Sequence, residues 1–273
     1  MSPFERDSIR GARAAELRPY KSERSEVIAG YCMVSEGVVA SRQFGSGRGA
    51  LRRLELSARG LDLPAEILRV SAQSPSADVL RYAAERLLHG EVVAIPTDTV
   101  YGLAADPFNL SAVEEIFRVK GRPEERALPI LVNSLDQAML LAREVPRNFL
   151  RLAEQFWPGA LTLVVDASHR LPLKVTANTG RIALRWPRSE VVARLIEECD
   201  GPLTGTSANL SGSPACVSSE QVFHQLGDRL GLILDGGETK SSSPSTIVEL
   251  QGAKWTILRK GAISANQIEE ALQ

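Results

Sequence analysis

The chain has 273 residues, enough for one large domain or two small ones. It is 44% hydrophobic and 24% charged with a formal net charge of -1, a globular profile without an overall signal for nucleic acid or a membrane surface. Aromatics at 5% leave little for a base-stacking surface, and Cys32, Cys199 and Cys216 are too scattered for a disulfide framework or a zinc site.

The first segment differs from the rest. Residues 1–71 hold twelve Lys/Arg and nine Asp/Glu, whereas the remainder holds twenty and twenty-four. Arg6, Arg10 and Arg13 have no apolar run behind them, so they do not open a secretory signal, and no run is long enough for a membrane helix. With three reduced thiols, a cytoplasmic location is expected. Residues 1–72 show no sustained apolar period and read as an N-terminal extension, either disordered or an over-long start with Met33 as a later initiation point. Within it, Gly45-Ser46-Gly47-Arg48-Gly49-Ala50 fits G-x-G-x-x-A, but the preceding strand is short and no further βαβ units follow. A flexible glycine-rich loop is the better reading.

From Ser74 the pattern is regular, and residues 73–273 read as one α/β domain with a twisted mixed sheet flanked by helices. Asp78–His89 is an amphipathic helix stopped by Gly90. Val92–Pro96 is a short buried strand. Ser111 and Glu114 suit a capping box for a helix reaching about Lys120. Ile130–Val132 is a strand, followed by helices near 135–142 and 146–156, with Pro158-Gly159 breaking the chain before the strand Leu161–Val165. Further strands are expected at 182–185, 203–206, 232–234, 246–250 and 255–258, the last two suggesting a hairpin. Helices are expected at 190–198, 220–230 and 265–272.

No G-x-x-x-x-G-K-[ST], G-x-S-x-G or H-E-x-x-H is present, and His89, His169 and His224 do not pair at metal-ligand spacing. Polar residues instead gather at strand and helix ends. Pro96-Thr97-Asp98-Thr99-Val100-Tyr101-Gly102 leaves a buried strand; its hydroxyls suit a small polar ligand, though a plain turn with a buried, hydrogen-bonded Tyr101 explains it better on local grounds. Lys120-Gly121-Arg122-Pro123-Glu124-Glu125-Arg126 ends a helix with three cations. They serve equally as dipole partners or as a phosphate clamp with Arg122 bidentate. Thr204 to Gly212 is rich in small hydroxyl and amide groups, fitting phosphate or ribose oxygens or merely an ordinary loop. Arg185, Ser245 and Arg259 each sit at a strand end, where singly a structural role is the better reading.

Taken in order, these stretches resemble the YrdC/TsaC family of threonylcarbamoyl-AMP synthases. The match runs from about Asp78 to Gln273. It comprises P-T-D-T-V-Y-G-L at 96–103, K-G-R-P at 120–123, F-W-P-G-x-L-T at 156–162 and R-x-P at 185–187, then T-S-A-N-L-S-G at 206–212, S-T-I-V at 245–248 and L-R-K-G-A-I at 258–263. The resemblance implies a mixed α/β fold around a basic concave site. It also implies an enzyme joining L-threonine, bicarbonate and ATP, with Mg²⁺ on the nucleotide, to give an adenylate for tRNA modification by downstream threonylcarbamoyl-transfer proteins. The chain resembles the short form, without a further C-terminal domain. By that resemblance Lys120, Arg122, Ser207 and Asn209 are the catalytic signature, with Lys120 neutralising charge on phosphates or the carboxylated intermediate. Arg122, Arg126, Asn209 and Arg259 contact ATP. Thr99, Asn133, Arg185, Ser207 and Ser245 hold threonine, and no protein metal site is implied. The pattern departs from the family at Asn133, where a histidine is common, around Arg126, where one residue is inserted, and at Arg181, where a hydroxyl residue is common. A catalytically silent module binding double-stranded RNA or tRNA is the alternative. A domain serving a larger carbamoyl-transfer enzyme is a third reading.

Overall fold

The structure is a computed structural model that describes residues 64–123, 126–239, 241 and 243–273. The chain divides into units Met1–Ser46 and Gly47–Gln273, and the described residues all belong to the second. The Gly45–Ala50 stretch and nearly all of the N-terminal extension lie outside them.

Among the described residues the strands are β1 (Glu66–Arg69), β2 (Val93–Ile95), β3 (Gly102–Ala104), β4 (Ile130–Leu131), β5 (Leu161–Asp166), β6 (Arg181–Arg185), β7 (Leu203–Thr204), β8 (Thr206–Ser207), β9 (Leu232–Asp235), β10 (Thr246–Gln251) and β11 (Lys254–Arg259). The helices are α1 (Ala77–Leu88), α2 (Leu110–Lys120), α3 (Leu135–Leu141), α4 (Arg147–Phe156), α5 (Glu190–Glu198), α6 (Ser219–Leu226) and α7 (Ala265–Leu272). None of them is long and apolar enough to cross a membrane.

The fold is α/β with helices flanking mixed sheets, and the expected mixed sheet is present as two. One runs β1-β9-β2-β3-β8, the other β11-β10-β5-β6-β4-β7. Each contains both parallel and antiparallel neighbours. In the first sheet Val93, Ile95, Leu232 and Leu234 pack with α1 and α5, while Ala94 and Ile233 enter the main core on the opposite face. Burial on both faces explains why β2 and β9 read as unbroken apolar runs. In the second sheet Leu161, Leu163, Val165, Ile182, Leu184, Val248 and Leu250 face the core with Phe149, Leu152 and Ile268 of α4 and α7. The alternate residues of β5, β6 and β10 face the other way, which leaves that surface for a ligand.

Several local expectations change. Residues 66–69, read as part of the irregular segment, form β1, paired in parallel with β9; four residues are too short to show a period. The cap of α2 is Asn109, whose side chain accepts from the Ser111 and Ala112 N–H groups, so Ser111 lies inside the helix and the Ser111/Glu114 capping box is not formed. Glu114 instead pairs with Lys174 Nζ at 2.8 Å. Helix α6 stops at Leu226 rather than 230, because the Gly227 carbonyl is taken at 2.8 Å by Ala65 N–H, leading into β1.

The expected strand at 203–206 is divided by Gly205 into β7 in one sheet and β8 in the other. This crossing brings the two sheets together, and it requires glycine. A Cβ at Gly205 would run into the side chain of Leu131, which is itself buried. Gly205→Ala is therefore expected to cost about 1–3 kcal/mol by overpacking. Urea unfolding of the variant measures it, and an unchanged midpoint would show that the crossing tolerates a side chain.

Candidate functional site

A cavity of about 530 Å³ opens where the sheets meet. Its floor is the outward face of the second sheet: Thr162 and Val164 from β5, Arg181, Ala183 and Arg185 from β6, Ile247 and Glu249 from β10. Its walls come from the 97–102 turn, the segment after α2, the β7–β8 crossing and the 207–215 loop. Seven residues expected to bind substrate or nucleotide line it together: Thr99, Arg122, Arg185, Ser207, Asn209, Ser245 and Arg259. Three expected residues do not. The Arg126 side chain is exposed and outside the lining, and Asn133 is outside it too, its backbone N–H donating to Gln137 Oε1 at 3.1 Å. Lys120 lies beneath the surface, 3% exposed.

Arg185 ends β6 and is held on three sides. Its Nε donates to the Gly159 carbonyl at 3.0 Å, Nη1 to Thr99 Oγ1 at 2.8 Å and Nη2 to Asp98 Oδ1 at 2.6 Å. Burial lowers its pKa from the usual guanidinium value, and the Asp98 charge opposes that shift. The sequence reading gives Asp98 no role; its signal is a lone carboxylate inside a strand-end cluster of hydroxyls.

Ser245, just before β10, exchanges a 2.8 Å hydroxyl–hydroxyl bond with Thr162 Oγ1, and both are buried. Thr162 was also missed as a site residue. Its signal is the period of two in β5, where Thr162 and Val164 alternate with the core residues Leu161, Leu163 and Val165. Arg259 grips the Ser245 carbonyl through Nε at 3.1 Å and Nη2 at 2.8 Å, and reaches Ser245 Oγ at 3.0 Å. Burial and then the Arg185 charge lower its pKa.

Helix α2 ends with Gly121 in the left-handed conformation, and Arg122 N–H returns to the Phe117 carbonyl at 3.0 Å. That turn sends Arg122 into the cavity wall. Its Nη1 donates to Thr206 Oγ1 at 3.0 Å and Nη2 to the Ala127 carbonyl at 2.9 Å, while buried Nε has no partner among the described residues. Burial pulls its pKa down, with Arg126 adding to the effect. Tyr101 follows the plainer reading of its cluster: fully buried, it donates to the Gly237 carbonyl at 2.7 Å and its hydroxyl is pushed up to about 12 by burial.

Arg181 sits at the far end of the floor. Nη1 meets Asp166 Oδ1 at 2.6 Å, and Nη2 meets the Leu250 carbonyl at 2.8 Å and Glu249 Oε1 at 3.3 Å. The cavity lining thus holds Arg122, Arg181, Arg185 and Arg259 and one carboxylate, Glu249; Asp98 and Asp166 behind it pair with Arg185 and Arg181, which leaves Arg122 and Arg259 without a carboxylate partner among the described residues. Such a surface favours anions, with hydroxyls and an amide to orient them. Among the described residues no three His, Cys, Asp or Glu side chains gather to hold a metal ion.

The family model for Sua5/YciO/YrdC proteins, described as "Telomere recombination", matches residues 85–261. The chain is 38% identical over 193 residues to a threonylcarbamoyl-AMP synthase of Pyrococcus abyssi, covering 71% of this chain and 57% of that protein. It is 35% identical over 174 residues to the threonylcarbamoyl-AMP synthase of Vibrio campbellii, covering 63% of this chain and 93% of that one. The crystal structure of P. abyssi Sua5 complexed with L-threonine superposes with a TM-score of 0.73 at 36% identity, over 76% of this chain and 61% of that chain. The chain therefore spans less than two thirds of its Pyrococcus relative. With the family model running over β2 to β11 and every residue that lines the cavity, this chain belongs to the Sua5/YciO/YrdC family.

Proposed function

We propose that the chain joins L-threonine, bicarbonate and ATP into threonylcarbamoyl-AMP and pyrophosphate, for use by a tRNA threonylcarbamoyl-transfer protein. The observation that carries this reading is the gathering of Thr99, Arg122, Arg185, Ser207, Asn209, Ser245 and Arg259 around one cavity from six separate segments. Supporting it are the names of the relatives and the L-threonine complex of one of them.

In this reading Arg185 receives the threonine carboxylate, with Thr99, Ser207 and Ser245 orienting it. Arg122, Asn209 and Arg259 hold the triphosphate, and Mg²⁺ arrives as the counter-ion of the nucleotide. The threonine amine attacks the carbon of bicarbonate, a C–N bond forms and water leaves, giving a carbamate. A carbamate oxygen then attacks the α-phosphate as the bond to the β-phosphate breaks and pyrophosphate departs. No protein nucleophile is required. The residues contribute orientation, and their guanidinium groups stabilise charge on the transferring phosphate. Asn133 and Arg126, outside the cavity lining, would take part only if their segments close on bound substrate.

The test is pyrophosphate release by purified protein with ATP, Mg²⁺ and bicarbonate, with and without L-threonine. Threonine-dependent release with an adenylate product of the expected mass supports the reading. Well-folded protein giving no release, while binding structured RNA in a salt-sensitive way, would replace it with the RNA-binding one.

A further inference from the structure

Lys120 belongs to the sequence signature yet is buried and outside the cavity lining. The turn that ends α2 throws Arg122 outward and leaves Lys120 on the inner side. Its ammonium donates to the Ser207 carbonyl, to the Asn209 carbonyl at 2.8 Å and, more distantly, to Asn209 Oδ1 at 3.5 Å. In return the Lys120 carbonyl accepts from Ser211 N–H at 2.9 Å. An ammonium has three N–H donors and no acceptor. Here its two close acceptors are backbone carbonyls of residues 207 and 209, with Asn209 Oδ1 at the limit of hydrogen-bond distance, so the buried ammonium is engaged by protein.

The same loop is tied further along. Asn209 Nδ2 donates to the Leu210 carbonyl at 2.7 Å and the Ser213 carbonyl at 2.8 Å, and Ala208 N–H donates to the Tyr101 carbonyl at 2.8 Å. Drawing the 207 and 209 carbonyls inward sets the turn between them, and with it the places of the Ser207 and Asn209 side chains on the cavity wall. Burial, followed by the Arg122 charge, pulls the Lys120 ammonium down to about 8. That fits a cation enclosed by protein rather than one exposed to a ligand.

We propose that Lys120 is a positioning residue that never touches substrate and acts by holding the 207–211 turn in shape. This rests on the adenylate-forming reading for its activity readout only; the location of the ammonium is tested independently.

The first experiment is a mutant cycle of Lys120→Met against the paired change Ser207→Ala/Asn209→Ala, which removes both side chains that the turn places, reading kcat and KM for threonine-dependent pyrophosphate release, normalised to the folded fraction. Lys120→Met alone is expected to lower kcat about 100-fold, the cost of a misplaced site. In the Ser207→Ala/Asn209→Ala background its further cost is expected to shrink to about threefold or less, because the side chains it would place are gone and residues acting as one unit are not additive. Lys120→Arg, whose two forked donors can still meet two carbonyls, is expected to recover part of the rate. Effects that multiply across the cycle would overturn the proposal, since they would mean Lys120 reaches the substrate on its own. A purely structural role would lower the folded fraction and leave the normalised kcat unchanged, which also overturns it.

The second experiment needs neither variants nor turnover. Reductive methylation of the full chain, mapped by mass spectrometry, is expected to leave Lys120 unmodified with or without ATP. Modification in free protein with protection by ATP would place the ammonium at the substrate and sink the idea, whatever the fate of the proposed reaction.

Discussion

Arg185→Ala is expected to be the most damaging single change in the cavity, to stability and activity alike. It strands Asp98, only 15% exposed at its side chain, without its cation. It also removes the donors that satisfy Thr99 Oγ1 and the Gly159 carbonyl. Breaking a buried pair from one side costs about 3–5 kcal/mol; for a unit of this size that is a fall in Tm of roughly 10 °C. Two variants separate the causes. Asp98→Asn keeps a hydrogen-bond acceptor for Nη2 without the charge, so it should lose less stability. Arg185→Lys keeps the charge but cannot span all three acceptors, so it should retain more stability than alanine while losing most affinity for threonine. Urea unfolding and calorimetric titration with L-threonine measure the two effects. An Arg185→Ala protein as stable as wild type would mean that Asp98 finds solvent or a proton at little cost.

Arg122→Ala is expected to separate activity from stability. Its hydrogen bonds to Thr206 Oγ1 and the Ala127 carbonyl are worth about 1 kcal/mol each in net stability, and the longer, exposed one to the Arg126 carbonyl adds little. A guanidinium aimed where phosphate charge develops is worth far more to the reaction, about 100- to 1000-fold in turnover. The threonine-dependent release assay should therefore show a near-inactive enzyme whose unfolding midpoint has moved little. Arg122→Lys is not expected to rescue it, because a single ammonium cannot reproduce two parallel donors. Wild-type turnover in Arg122→Ala would remove Arg122 from the phosphate site.

Much of the fold was legible because it is locally encoded. The apolar faces of α1, α5 and α7, the short runs of β2, β9 and β10, and the glycines at 90 and 121 that close two helices are all stated by neighbouring residues. Period and propensity act within one element, so they survive without knowledge of the rest. The ordered series of motifs then identified the family, and seven of the ten expected site residues converge on one cavity.

What tertiary structure alone decided is everything that depends on long-range pairing. Asp98 and Arg185 lie 87 positions apart, and only the closing of the 97–102 turn over β6 makes one the counter-ion of the other. No spacing rule assigns β7 and β8 to different sheets; the close packing of Gly205 on Leu131 does. Equally, the sequence places three cations at the end of α2 without saying which way each points. The left-handed turn at Gly121 sends Arg122 to the cavity and Lys120 beneath it. An ammonium takes the inner place because the turning chain offers it the Ser207 and Asn209 carbonyls, and a buried charge persists only where its donors are met.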